Sequence, residues 1–224
     1  MDADLDVRPP RQQRSREAWQ RVLDAGVAIL EGGGYDAFTI AAVCERARVA
    51  PPAIYARTAG KDALFLAVYE HGIAGLTAEQ RVFDDAARWA GLAPDALVRA
   101  AVAELVGIPL RHQPFLRAVV LISAAHAEVQ RRGSRYGRAL GDQFVEVLRP
   151  AMDAVAHADP EPAVRACFES TFAATIIRVA YGPDFASAAP RTDDEFVVDM
   201  AEMAARYLLA PLPPGDRPAG ADRI

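Results

Sequence analysis

From Ser15 onward the apolar residues recur at helical spacing. Trp19, Val22, Leu23, Gly26, Val27 and Leu30 fall on one face at three- and four-residue intervals, which predicts an amphipathic helix from about Ser15 to Glu31. Gly32-Gly33-Gly34 is expected to end it, since glycine takes the left-handed terminating conformation. A shorter apolar face follows at Ile40, Val43, Cys44 and Ala47. Thr39 stands ahead of it, where a hydroxyl can accept from an orphan amide of the first turn. Arg48-Val49-Ala50 has room only for a turn, with Val49 as its buried plug. Pro51 then suits a first helical position, which wants a preset φ and no amide donor. In the short helix it opens, Ile54 points to the core, while Pro52, Ala53, Tyr55, Ala56 and Arg57 face outward. Leu64, Phe65, Val68 and Tyr69 form the buried face of a further helix starting at Lys61.

Beyond about Gly72 the chain is alanine-rich, with helical periodicity and no alternating β-branched runs. Breaks at Gly91–Pro94, Gly107–Pro109, Gly133, Asp159–Pro162 and Gly182–Pro190 divide it into helices at about 77–90, 94–106, 113–131, 134–156, 162–181 and 192–210. The expected fold is all-α: a three-helix reader over residues 13–60, then a helical bundle over 61–210. Residues 1–12 are expected to form a flexible arm and 211–224 a disordered tail.

Charge sharpens this division. The whole chain of 224 residues carries a formal −5, yet residues 7–61 hold nine basic against five acidic side chains. A local basic surface matters more for phosphate binding than the overall balance. Arg8, Arg11, Arg14 and Arg16 lead into the first helix as an arm, either simply solvated or able to reach phosphates or a minor groove. A short helix with small residues, a tyrosine and an arginine outward can lie in a DNA major groove. Lys61, the only lysine, sits at a helix N-terminus, where the dipole disfavours a cation unless an external anion compensates.

In these residues the chain resembles the TetR family of bacterial transcriptional regulators. The likeness covers roughly Arg16 to Ile73. It rests on the apolar first helix ending in Gly34-Tyr35, on Phe38-Thr39, on the Ala47-x-Val49 turn, on Ile54-Tyr55, and on Lys61 ahead of Leu64. Three positions depart from the family pattern: Arg48 stands where glycine is usual, Ala50 replaces a capping serine, and Thr58 replaces a phenylalanine. The resemblance implies a homodimer that binds double-stranded operator DNA and senses a small-molecule effector in its C-terminal helices. On this reading Pro51, Pro52, Ala53 and Tyr55 face the groove, and Thr39, Tyr55, Arg57 and Lys61 meet phosphates, with Arg14 and Arg16 in the arm.

For the effector, the stripe Phe115, Val119, Ile122 and His126 on the 113–131 helix is the candidate wall, faced by Phe144, Phe168 and Phe172. Taken singly, each of these reads more readily as plain core than as a ligand contact. The dimer is expected through the last two long helices, by Val164, Cys167, Thr171 and Thr175 on one and Phe196, Met200, Ala204 and Tyr207 on the other. The helix from Lys61 to Ile73 is the expected lever between the two parts.

Other classes find no residues. Among His71, His112, His126 and His157 no pair is four apart, and there is no H-E-x-x-H, no G-x-S-x-G and no E-x-x-H. Gly60-Lys61 lacks the rest of a phosphate loop. Cys44 and Cys167 have no metal-type spacing and no cofactor is implied. The longest near-apolar run, Ala118 to Ala127, is too short to span a bilayer, and no apolar leader follows the charged start. The expectation is a cytoplasmic regulator, a repressor rather than an activator, without catalytic or metal-binding residues; the alternatives are a DNA-binding regulator with no small-molecule effector and an all-helical enzyme for which the sequence names no residues.

Overall fold

The protein is described here by a computed structural model covering residues 13–211, and every regular element among them is helical. The expected arm and tail lie outside the described residues, as does the Arg14 side chain. The first helix, α1 (Gln13–Ala37), runs through Gly32 and Gly33 and turns at Gly34, which takes φ 65° and ψ −163°. Only the third glycine therefore acts as the terminator. Helix α2 (Ile40–Ala47) starts at Thr39, whose Oγ1 accepts from the Ala42 N–H at 3.1 Å. It ends at Arg48, which holds the left-handed φ of 54° while its own N–H reaches back to the Cys44 and Glu45 carbonyls. A glycine would adopt this conformation without strain; Arg48 adopts it as a non-glycine residue. Helix α3 (Pro51–Tyr55) follows, and Ala50 gives it no side-chain cap. Buried Thr58 turns its hydroxyl inward to donate to the Ile54 carbonyl at 3.2 Å.

Helix α4 (Lys61–Gln80) is longer than expected. The stretch predicted as a helix at 77–90 is instead the end of α4, a 3-10 turn over Arg81–Asp84 and the short α5 (Ala86–Trp89). Helix α6 (Pro94–Arg111) continues past Gly107 and carries Pro109 within its last turn. Helix α7 (Gln113–Ser123) then leaves at 85° to it. The helix expected over 113–131 is broken at Ala124–His126, and α8 (Ala127–Leu148) begins there with the His126 imidazole accepting from the Val129 N–H at 3.4 Å. Gly133 lies inside α8 and breaks nothing. After a 3-10 segment, Arg149–Ala154, come α9 (Pro160–Tyr181) and α10 (Asp193–Leu209). The latter opens with a reciprocal capping box between Thr192 and Glu195.

One continuous core joins these parts, from Leu30, Phe38, Ile54, Leu64 and Phe65 at the N-terminal end to Val98, Leu105, Phe144, Leu148, Val164 and Leu208. Helix α1 packs on α2, on α4 and on α7, and α7 in turn packs on α8 and α9. The approach of α1 to α4 is close because Gly26 has no side chain where the Val68 methyls lie. Helix α10 packs along α6, and buried Arg178 ties it to α9 by donating to Asp193 at 2.8 Å and to the Arg191 carbonyl at 2.7 Å. Among the described residues no single helix is long and apolar enough to cross a membrane.

Candidate functional site

The N-terminal helices present one polar surface whose side chains are fixed by identifiable contacts. Pro51, Pro52 and Ala53 are exposed, and Tyr55 is 58 % exposed on the outer face of α3. Ile54, fully buried, anchors that face to the core. Thr39 is exposed at the start of α2, and although its oxygen accepts from Ala42 its own O–H is left to donate. Lys61 is half-buried with Nζ 4.1 Å from the centre of the Tyr35 ring. The same tyrosine donates its hydroxyl to Asp62 at 3.3 Å, and burial with the nearby Asp62 charge raises its pKa. The Lys61 ammonium is thus held at the edge of the surface by a cation–π contact.

Arg57 is placed differently from an outward phosphate contact. It is half-buried, its guanidinium donates to Ser15 Oγ, and it lies 5.3 Å from the Trp19 ring centre, bracing the end of α3 against the start of α1. Arg16 is exposed on the first turn of α1. Two exposed arginines that the periodicity did not single out, Arg46 and Arg48, stand on the last turn of α2 and in the turn before α3. Their positive charge next to an exposed helix was the available signal.

Behind this surface lies a cavity of about 680 Å³, within the size range of small-molecule sites. Its walls are Tyr69, Ile73 and Leu76 of α4, Leu116 and Val119 of α7, Tyr136 and Gly137 of α8, and Phe168, Phe172 and Ile176 of α9. The wall is mostly apolar, and one polar atom in it stands out. The Tyr136 hydroxyl is buried without a hydrogen-bond partner among the described residues. Burial raises its pKa, so at neutral pH it remains a proton donor. An unsatisfied buried hydroxyl costs about 1–3 kcal/mol, which a ligand's acceptor oxygen would recover.

Of the residues expected at such a site, Val119, Phe168 and Phe172 line the cavity, while Phe115, Ile122, His126 and Phe144 do not. The ring of Phe115 sits over Gly72, 2.3 Å from where a Cβ on that glycine would be. Ile122 packs on the core from the side. His126 caps α8, and its ring lies tilted against Phe65 with centres 5.4 Å apart. Phe144 is fully buried behind Phe168, at 5.8 Å between centres. The break at 124–126 turns the end of the expected stripe away from the cavity. The missed wall of α8 carried a readable sign: Gly133, Gly137 and Gly141 repeat every four residues, leaving one side of the helix bare. A Cβ at Gly141 would come within 2.9 Å of the Phe168 ring.

Residues 22–68 match a sequence model of the bacterial regulatory proteins of the tetR family. Structures described as regulators of this family share the whole fold. Residues 22–68 form a TetR-family domain, and the helical chain as a whole has the TetR fold. A bacterial regulatory protein of the tetR family from Rhodococcus RHA1 is 16 % identical, with a TM-score of 0.65, covering 85 % of this chain and 96 % of its own. A TetR-like transcriptional regulator from Rhodococcus sp. RHA1 is 21 % identical, TM-score 0.58, covering 89 % and 97 %. The transcriptional regulator FadR from Bacillus subtilis, solved in complex with stearoyl-CoA, is 10 % identical, TM-score 0.58, covering 87 % and 100 %. No curated protein sequence matches the chain significantly. The matched segment carries the helix-turn-helix DNA-binding domain of that family.

Most of the residues expected at a dimer face point into the chain's own core. Val164, Cys167, Thr171 and Thr175 of α9 and Ala204 of α10 are buried inside the chain itself. Phe196 and Met200 are half-buried on the core, and only Tyr207 is exposed. The Thr175 hydroxyl donates to the Thr171 carbonyl at 2.8 Å, and burial pushes the Cys167 thiol up to about 11. The opposite side of α9 instead exposes Ala166, Ser170, Ala173, Ile177 and Tyr181, and α10 exposes Val198, Met203 and Tyr207. Both sides of α9 are apolar or small, and periodicity picked the side that belongs to the chain's own core.

Proposed function

We propose that this regulator is a homodimeric repressor that binds a near-palindromic operator and leaves it when a small apolar or aromatic effector enters the cavity. The observation that carries this reading is a shared set of helices. Helices α4 and α7 both wall the cavity and both pack on α1, so filling the cavity presses on the elements that set the attitude of α3. Helix α4 is the principal lever, since Leu64 to Val68 pack toward α1–α3 and Tyr69 to Leu76 toward the cavity. The FadR structure with stearoyl-CoA supports a ligand-holding role for a bundle of this shape.

On DNA, Pro51, Pro52, Ala53 and Tyr55 enter the major groove, with Thr39, Lys61 and the first turn of α1 on the phosphates. Arg57 acts mainly through its brace on Ser15 and Trp19. A two-fold dimer through the exposed faces of α9 and α10 places two α3 helices for half-sites about one helical turn apart, or a multiple of it. A ligand releases DNA only by binding the DNA-incompetent arrangement more tightly, and a 100-fold loss of affinity corresponds to about 2.7 kcal/mol of coupling. The test is fluorescence anisotropy on the intergenic DNA beside the protein's own gene, with and without a library of apolar small molecules. Release by a compound that also binds the isolated protein supports the reading. Tight binding that no cavity-binding compound alters refutes the effector half of it.

A further inference from the structure

The cavity continues outward into a second depression along α8, of about 570 Å³, and the two share Gln130, Ser134 and Arg138. The inner part is apolar; the outer part carries Arg131, Arg135 and Arg138 against a single carboxylate, Glu128. That carboxylate is already engaged, by Arg131 and by Arg132, the latter at 2.7 Å. Arg135 and Arg138 are exposed and form no ion pair among the described residues. Across the mouth, on the α9 side, Arg165 is held by Asp142 at 2.9 Å and by Glu161 at 3.3 Å, and Glu169 adds a negative charge. The rim is therefore polarised, with uncompensated positive charge confined to α8.

We infer that the effector is an amphipathic anion, with its apolar chain or ring in the cavity and a carboxylate, phosphate or sulfate at the α8 rim on Arg135 and Arg138. The inference rests on the effector-binding reading of the cavity and names the chemistry of its ligand. Two guanidiniums one turn apart, at i and i+3, lie on one side of the helix and offer forked donors that suit an oxyanion. The apolar wall supplies affinity but no preference among head groups. An anion at the rim finds an unpaired cation pair, whereas a cation or a neutral polar head gains nothing there. Between the two regions the free Tyr136 hydroxyl is a donor for a carbonyl or ether oxygen where the apolar body joins the head.

The test compares N-decanoylglycine with its ethyl ester by isothermal titration calorimetry on the full-length protein at low salt. The probes share chain and amide carbonyl; the ester replaces the carboxylate by a neutral group with two further apolar carbons, which favours the ester in an apolar cavity and so works against the expected difference. The acid is expected to bind at least about tenfold more tightly than the ester, a difference that shrinks as salt screens it. In the double variant Arg135→Gln/Arg138→Gln, whose altered side chains are solvent-exposed, the acid should fall to the ester's level. Equal affinity of acid and ester for the wild type overturns the anion assignment and leaves the effector reading standing, because the ester still occupies the cavity. A double variant that weakens both probes alike, or retains the acid's preference, also overturns it. Binding of neither probe overturns it as well, while release of DNA by some other compound would still uphold the effector reading.

Discussion

Two glycine-to-alanine substitutions, Gly26→Ala in α1 and Gly133→Ala in α8, should change stability in opposite directions. Both sites are helical, so each gains about 1 kcal/mol from helix propensity and the stiffer unfolded chain. Their surroundings differ. A Cβ at Gly26 would meet Val68 Cγ2 at 2.4 Å and Cγ1 at 2.9 Å, with the Phe38 ring at 3.2 Å. Val68 and Phe38 are both fully buried, and a helical valine has one strongly preferred rotamer, so neither can swing aside. Overpacking of this kind costs about 1–3 kcal/mol, which outweighs the propensity gain. At Gly133 nothing lies within 4 Å of the added carbon. Gly26→Ala should therefore lose on the order of 1 kcal/mol and Gly133→Ala gain about as much. For a chain of this size that is about 2–4 °C in Tm in each direction. Thermal unfolding reads both, at fixed protein concentration because any self-association would shift Tm. A Gly26→Ala protein as stable as Gly133→Ala would show that α1 and α4 are not packed as closely as described.

Other expectations follow from the same contacts. Lys61→Ala should weaken binding to all DNA sequences alike and reduce the slope of log affinity against log salt by about one; unchanged affinity and slope in an anisotropy titration would remove Lys61 from the phosphates. Ala173→Glu or Ile177→Glu, on the exposed side of α9, should yield a folded monomer with weakened operator binding, and a dimer persisting in sedimentation would exclude that face. Phe172→Ala or Val119→Trp should alter the response to an effector while leaving effector-free DNA affinity near wild type; normal responses from both would move the binding site elsewhere. Because burial raises the pKa of both Cys44 and Cys167, native protein at pH 8 should react slowly with a thiol reagent and rapidly once unfolded, with native reactivity rising as pH climbs toward the thiol pKa. Fast stoichiometric labelling of the native protein would contradict the burial.

The N-terminal reader was legible because its signals are local. The cap at Thr39 and the turn at Arg48 each act within a few residues, and α2 and α3 lie where the apolar spacing put them, while Val49, expected to be buried, is half-buried against the core. The bundle was less legible because glycine and proline have two meanings in a packed helix. Gly133 read as a break but serves as bare wall, and Pro109 sits within the last turn of α6. The His126 break was hidden by an apolar run on both sides of it, so a single stripe was drawn through two helices. The two sides of α9 were hard to tell apart for a related reason: it has an inner side of Val164, Cys167 and Thr171 and an outer side of alanine, serine and isoleucine, and spacing alone does not say which is buried in the chain's own core.

The central claim is that occupancy of the cavity sets the affinity of α3 for operator DNA. It is tested most directly by following DNA anisotropy and ligand occupancy in the same titration, with wild type and Phe172→Ala side by side. Operator affinity should fall in step with cavity occupancy in the wild type, and Phe172→Ala should shift both curves to higher ligand concentration by the same factor. DNA release that stays at the wild-type ligand concentration while occupancy shifts would contradict it.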